Sequence, residues 1–127
     1  MDKKFSANTF HADHEYDVLT VGLADDSEDP VDFIILQRSD EVDEQDQELG
    51  LDTYYVEIGN PGVAGYGGVD RVEIFSDRII FNFVGSCDWV KPIKVIEVNT
   101  SGVSEDVNDI YSALSKIFHG DTPLVRF

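Results

Sequence analysis

The stretch VDRVEIFSDRIIFNFV, residues 69–84, carries the clearest structural signal in the chain. Two runs of alternating apolar residues flank the dipeptide Ser76-Asp77, and this pattern predicts a β-hairpin with a short turn. Alternation places the apolar residues of each strand on one face, and in the second strand these residues are Ile79, Phe81 and Phe83. A sheet is therefore the expected centre of the fold.

Four further segments have the β-branched and aromatic composition of strands, and their approximate bounds are 17–24, 31–37, 54–58 and 93–98. The polar residues 25–30 predict a turn that makes the first two strands a hairpin, because Asp and Ser bond nearby backbone and Pro stops strand pairing. The continuous apolar run at 31–37 predicts a central strand covered on both faces. Residues 59–68 contain five glycines and a proline, which predict a loop.

Residues 104–119 show the only helical pattern. Ser104 is the expected N-cap and Gly120 the expected C′ stop. Apolar residues recur with helical spacing and form one stripe: Val107, Ile110, Tyr111, Leu114, Ile117 and Phe118. Since this stripe must be buried against the sheet, we expect an α+β fold, a mostly antiparallel sheet of about six strands with one C-terminal amphipathic helix packed on it.

The length of 127 residues fits a single domain, 1–127, and the sequence shows no repeat or linker. Residues 1–15 have no strong apolar pattern and are expected to form a loosely ordered lead-in. The chain shows no signal peptide and no apolar run long enough to span a membrane. Its single cysteine, Cys87, cannot form an internal disulfide and is expected to be a buried, inert thiol. These features predict a cytoplasmic protein.

The net charge of −17 is distributed unevenly. Residues 5–70 contain 17 acidic residues and one basic residue, Arg38, whereas the rest of the chain is close to neutral. Such a field repels nucleic acid and anionic membranes and attracts basic surfaces. The charge favours a basic protein partner, although solubility alone is the simpler explanation of an acidic composition.

Six acids fall within residues 40–48, where mutual repulsion predicts an exposed loop or a frayed helical turn. Tyr66 lies between glycines, so its ring is free either to cover the core or to project as a contact. Trp89 is a second candidate aromatic contact. The hypothetical partner-binding set is therefore Asp40, Glu41, Asp43, Glu44, Asp46, Glu48, Tyr66 and Trp89.

Candidate catalytic and metal-binding patterns do not meet the requirements of those sites. His11 and His14 are three residues apart, a spacing that brings two ligands together only on a helix, and there are no paired cysteines. The acidic run lacks the central glycine of a calcium loop. Residues 85–87 lack the Gly-x-Ser-x-Gly elbow, and residues 65–68 match no phosphate-binding loop. We expect no catalytic residue, no cofactor and no metal.

Three sequence blocks carry a resemblance to a known family: LQRS at 36–39, YYVE at 54–57 and YGG at 66–68. In this order, and with the closing helix, they resemble the immunity protein family numbered ten over about residues 18–120. These are antidotes of bacterial polymorphic toxin systems. The resemblance implies a cytoplasmic, non-enzymatic protein that binds and neutralises a cognate toxin.

Other interpretations stay open at this point. An acidic nucleic-acid mimic or regulator that binds a basic DNA- or RNA-binding protein would share the same charge argument. An enzyme is a third class, since 26 carboxylates could include a catalytic pair. The exposed edges of a six-stranded sheet could also pair and give a homodimer.

Overall fold

The computed structural model describes residues 2–15, 17–26, 28–39, 54–59, 62–84, 93–118 and 122–126. These residues form ten strands and one helix. In chain order they are β1 (Asp2–Ser6), β2 (Thr9–Glu15), β3 (Val18–Ala24), β4 (Phe33–Ser39), β5 (Tyr55–Ile58), β6 (Val63–Tyr66), β7 (Val69–Ile74), β8 (Arg78–Phe83), β9 (Val95–Asn99), α1 (Val107–Phe118) and β10 (Leu124–Arg126).

The strands form two five-stranded sheets. Sheet 1 has the order β1-β9-β8-β7-β10, with β1 and β10 parallel to their neighbours and the inner pairs antiparallel. Sheet 2 is an antiparallel meander in chain order, β2-β3-β4-β5-β6. The predicted α+β class with a C-terminal helix is confirmed, but the described residues form ten strands in two sheets rather than about six in one.

The N-terminal segment differs from its prediction. A loosely ordered lead-in is expected over residues 1–15, whereas residues 2–6 form β1 and residues 9–15 form β2. In the first strand Phe5 is buried, and β1 pairs with β9 from the other end of the chain. The second strand pairs with β3 along seven residues, but most of its side chains are exposed and polar. An edge strand of this kind gives almost no apolar periodicity to read.

The hairpin of β3 and β4 forms as predicted, and β4 is a central strand. One face of β4 is buried, whereas its other face is only partly covered. In the turn, the Asp26 carboxylate accepts hydrogen bonds from the backbone N–H groups of Glu28 (2.8 Å) and Asp29 (3.4 Å). The Asp25 carboxylate accepts one from Val31 N–H (3.1 Å), so acidic side chains bond the turn backbone as expected.

The glycine-rich segment is not wholly a loop. Residues 63–66 form β6 and pair with β5. Glycines with positive φ lie on either side of this strand: Gly62 (81°) before it, and Gly67 (68°) and Gly68 (96°) after it. The glycines thus provide backbone conformations that other residues rarely adopt, while the residues between them pair as a strand.

The helix begins later than predicted, at Val107. Its N-cap is Asp106 rather than Ser104, because the Asp106 carboxylate accepts a hydrogen bond from Asn108 N–H (2.7 Å) and its carbonyl accepts one from Ile110 N–H (3.2 Å). The proposed C′ residue Gly120 lies outside the described residues. Within the described ranges, no helix has the length and apolar character needed to cross a membrane.

Both sheets and the helix share one hydrophobic core. The predicted hairpin of β7 and β8 contributes one buried face, with strict alternation in β8 and an irregularity between Val69 and Arg71 in β7. The helix buries Ile110, Ala113, Leu114, Ile117 and Phe118. Its nearest strands are β3 and β4, which places it on the inner face of sheet 2.

Tyr54, 3% exposed, connects all three layers. Its hydroxyl accepts a hydrogen bond from Val69 N–H (2.9 Å) at the start of β7. The hydroxyl of Thr122 donates to the carbonyl of the same Val69 (3.1 Å), just before β10. The Tyr54 ring meets the Phe118 ring edge-on, with centroids 4.8 Å apart. One side chain beside β5 therefore contacts sheet 1 and the helix.

The first prediction concerns this junction. Tyr54→Phe should lower the free energy of unfolding by about 1–3 kcal/mol, because the buried Val69 N–H loses its acceptor. Tyr66→Phe is the matched control, since Tyr66 is 44% exposed, and it should change stability by less than about 0.5 kcal/mol. Urea denaturation of the two variants measures the difference. Equal unfolding midpoints would contradict the role given to the Tyr54 hydroxyl.

The second prediction concerns the β3–β4 turn. The N–H groups of Glu28 and Asp29 stabilise the carboxylate and hold the pKa of Asp26 below its ordinary value of 3.8. Its contribution to stability is therefore complete above 3.8 and is lost as the pH falls through the folded-state pKa. An NMR titration of the carboxyl group should give a midpoint below 3.8, and Asp26→Asn should weaken the pH dependence of unfolding below that value. A midpoint at or above 3.8 would refute this interpretation of the turn.

Candidate partner-binding surface

Of the eight predicted contact residues, the structure describes Tyr66. The others, Asp40, Glu41, Asp43, Glu44, Asp46, Glu48 and Trp89, lie outside the described residues, as does Cys87. Tyr66 is on β6, an edge strand of sheet 2, and projects rather than covering the core. It lies directly opposite Tyr55 on β5, and the two rings meet edge-on with centroids 5.3 Å apart. The pair forms a partly exposed aromatic platform at one side of the sheet.

The outer face of sheet 2 is the face whose side chains point away from the shared core. The strand registers align one residue from each strand in a continuous row across it: Asp13, Thr20, Gln37, Tyr55 and Tyr66. Within this row, Gln37 Nε2 donates to Thr20 Oγ1 at 3.2 Å. The row therefore combines a carboxylate, an amide and two aromatic rings, which is a mixture common in protein interfaces.

Sheet 2 and its connections carry most of the negative charge. Between residues 9 and 66, the described part of the chain contains nine acidic residues and one Lys or Arg, which is Arg38. The nine acids are Asp13, Glu15, Asp17, Asp25, Asp26, Glu28, Asp29, Asp32 and Glu57. The other described bases lie in sheet 1, beside it or on the helix: Lys3, Lys4, Arg71, Arg78, Lys94, Lys116 and Arg126. The uneven charge of the sequence thus becomes a difference between the two sheets.

Arg38 does not offset this charge on the outer face. Its Nη1 donates to the carbonyl oxygens of Ile117 (2.9 Å) and Phe118 (3.3 Å) at the C-terminal end of α1. From sheet 1, Lys3 pairs with Asp32 at 2.5 Å, and its side chain is only 10% exposed. The pKa of Asp26 is lowered by its turn hydrogen bonds, so that carboxylate stays ionised at neutral pH.

An open groove of about 280 Å³ lies between α1 and strands β2 and β3. Its apolar lining comes from Ala12, Leu19 and Ala113. Polar and charged residues also border it: Asp13, His14, Asp109, Ser112 and Lys116. The sequence did not predict this groove, because residues 1–15, which include β2, were expected to form a loosely ordered lead-in. Phe10 and Ala12 at alternate positions were the only apolar signal for the strand.

The histidines of β2 do not form a shared metal site. His11 and His14 are an odd number of residues apart on a strand, so they point to opposite faces. The nearest acid to His11 is Asp13, with Nε2 and Oδ2 3.9 Å apart. Across the part of the chain that the structure describes, no group of three His, Cys, Asp or Glu side chains is arranged to hold a metal ion.

The family model for immunity protein 10 (Imm10) matches residues 5–91. The matched range contains every strand of sheet 2 and the β7–β8 hairpin. No curated protein and no solved structure matches the chain.

Proposed function

Because the chain belongs to the immunity protein 10 family, we propose that it binds a cognate bacterial toxin in the cytoplasm and neutralises it without catalysis. We propose further that sheet 2 covers a basic surface of that toxin. The match places the chain among immunity proteins, and the surface geometry supports the way in which this member would act.

The charge of sheet 2 is the observation that carries the mechanism. Nine described acids surround a sheet whose only Lys or Arg among the described residues is bonded to the helix end. A predominantly negative surface of this kind attracts a basic protein and can raise the association rate constant toward ~10⁸–10⁹ M⁻¹s⁻¹ at low salt. Fast capture suits an inhibitor whose target is harmful while it remains unbound.

The outer face of sheet 2 also supplies contacts that could hold the toxin after encounter. Tyr55 and Tyr66 form a partly exposed pair, and aromatic side chains of this type often contribute most of the energy of an interface. In this proposal the acidic residues set the approach and the register. The acids of residues 40–48 and Trp89, which lie outside the described residues, are proposed as further toxin contacts.

Co-expression tests the function itself. We expect the chain to restore growth of cells that produce the toxin domain encoded beside its gene, and to co-purify with that domain. A nucleic-acid mimic would instead be encoded beside, and bind, a restriction or transcription protein. Failure to protect or to co-purify, with the chain folded and abundant, would contradict the immunity function.

The third prediction tests the acidic surface by charge reversal. The variant Glu15→Lys, Glu28→Lys, Glu57→Lys should slow association with the toxin domain roughly tenfold or more at low salt and flatten its salt dependence. The matched control, Asp70→Lys, Asp77→Lys, Glu105→Lys, changes three acids outside sheet 2 and alters the net charge of −17 by the same amount. Stopped-flow kinetics at several salt concentrations compares them. Equal slowing by both variants would show that net charge, rather than sheet 2, guides the encounter.

The acidic segment at residues 40–48 needs its own variant. Asp43→Lys, Glu44→Lys, Asp46→Lys should also slow association and weaken its salt dependence, if this segment takes part in capture. An association rate constant equal to that of the natural chain would remove the segment from the mechanism, without affecting the proposal for sheet 2.

A further inference from the structure

Among the described residues, no strand pairs with the outer edge of β2. In the β3–β4 hairpin, Asp25 N–H bonds to Asp32 C=O, so odd-numbered residues of β3 bond toward β4 and even-numbered residues bond toward β2. In the register of β2 with β3, the residues of β2 whose backbone groups bond to β3 are therefore Thr9, His11, Asp13 and Glu15. The alternate residues, including Phe10 and Ala12, direct their N–H and C=O groups away from the sheet. Among the described residues, no backbone hydrogen bond outside the ladder reaches Phe10 or Ala12.

The groove beside α1 lies next to this edge. Ala12 and His14 line it from β2, Leu19 from β3, and Ala113 from α1. A strand added to β2 would continue sheet 2, and its side chains would alternate between the two faces. Every second side chain would enter the groove, whose apolar lining can accommodate it, and the others would join the outer face.

The charges around the edge favour a basic strand. On the outer face, Asp13 and Glu15 would lie next to the side chains of the added strand. On the groove side, Asp109 and Lys116 are both among the lining residues. Three carboxylates (Asp13, Glu15 and Asp109) and one ammonium group (Lys116) give the region around this edge a net negative charge. Lys or Arg at alternate positions of the incoming strand would therefore be complementary to this edge.

From these three observations we propose that an extended, basic segment of the cognate toxin adds to β2 as a sixth strand of sheet 2, with alternate side chains in the groove beside α1. This inference rests on the proposed immunity function and names its docking site. Backbone hydrogen bonds would supply affinity, and the groove and the carboxylates would supply register and selectivity.

The other edges fit this occupant less well. Strand β6, at the opposite edge of sheet 2, has four residues, whereas β2 has seven. Strand β10 has three residues, and the edge strand β1 carries the cations Lys3 and Lys4. A second copy of this chain would bring a further charge of −17 to the same edge, which opposes pairing between copies.

The fourth prediction compares proline substitutions at the two edges of sheet 2. Ala12→Pro removes an outward N–H from β2 without removing a ladder hydrogen bond. Ala64→Pro does the same on β6. Gly67 N–H bonds to Tyr54 C=O, so the odd-numbered residues of this segment form the hydrogen bonds to β5 and the N–H of Ala64 points outward. With the toxin domain against which the chain protects cells, Ala12→Pro should weaken binding about tenfold or more. Ala64→Pro should bind as the natural chain does. Calorimetry measures both affinities.

Hydrogen exchange of the natural chain tests the same point without a mutation. The amides of Phe10 and Ala12 should exchange rapidly in the free chain and slowly in the complex, because they gain acceptors from the added strand. A complex in which these two amides exchange as before, or in which Ala64 is protected instead, would overturn this inference and leave the immunity function standing. Protection of Ala12 without toxin, increasing with chain concentration, would assign the edge to a second copy and overturn it as well. If the natural chain neither bound the toxin domain nor protected cells, that result would instead contradict the proposed function.

Discussion

The hydrogen bonds between Arg38 and the end of α1 determine how the molecule presents its charge. A cation at a helix C-terminus is stabilising, because it meets the carbonyl groups that lack partners within the helix. Here the contact fixes the helix against sheet 2 at one end, beside the groove. It also directs the sole Lys or Arg among the described residues of sheet 2 toward the inside. The same two hydrogen bonds therefore position the helix and hold Arg38 away from the carboxylates of the outer face.

The division of side chains between the two faces of sheet 2 follows from the strand period of two residues. The carboxylates within its strands, Asp13, Glu15 and Glu57, share the outer face, whereas Val21 and Leu36 are fully buried on the inner face. Since a slip of one residue would bury the carboxylates, the acidic surface and the hydrophobic core enforce the same register. Solubility, core formation and charge presentation thus depend on one alignment of strands.

The sequence predicted the parts of this fold that have strong local periodicity. The β7–β8 hairpin, the β3–β4 hairpin with its turn, and the C-terminal helix are all confirmed. The sequence did not predict β1, β2, β6 and β10, and the reason differs from strand to strand. Strands β1 and β10 pair in parallel with segments far away in the chain, and β6 is only four residues long between glycines. Strand β2 is polar and exposed, so its order comes from pairing with β3 rather than from its own composition.

The groove beside α1 was not predicted either, because one of its walls belongs to β2. The outward position of Tyr66 was also undecided, because residues between glycines carry no neighbouring side chains that indicate a face.

The path of the N-terminus explains why sheet 2 ends at β2. Between β1 and β2 the chain crosses from sheet 1 to sheet 2, and the crossing is held by one hydrogen bond to each sheet: Ala7 N–H to Asn99 C=O and Asn8 N–H to Ala24 C=O, both 2.8 Å. Because β1 is committed to β9, it does not cover the outer edge of β2. Exposed edges invite unwanted pairing, and acidic side chains such as Asp13 and Glu15 limit it to partners of opposite charge. An edge that no described strand covers and that carries negative charge is thus selective rather than simply vulnerable, which is the property that the proposed inhibition of a basic toxin requires.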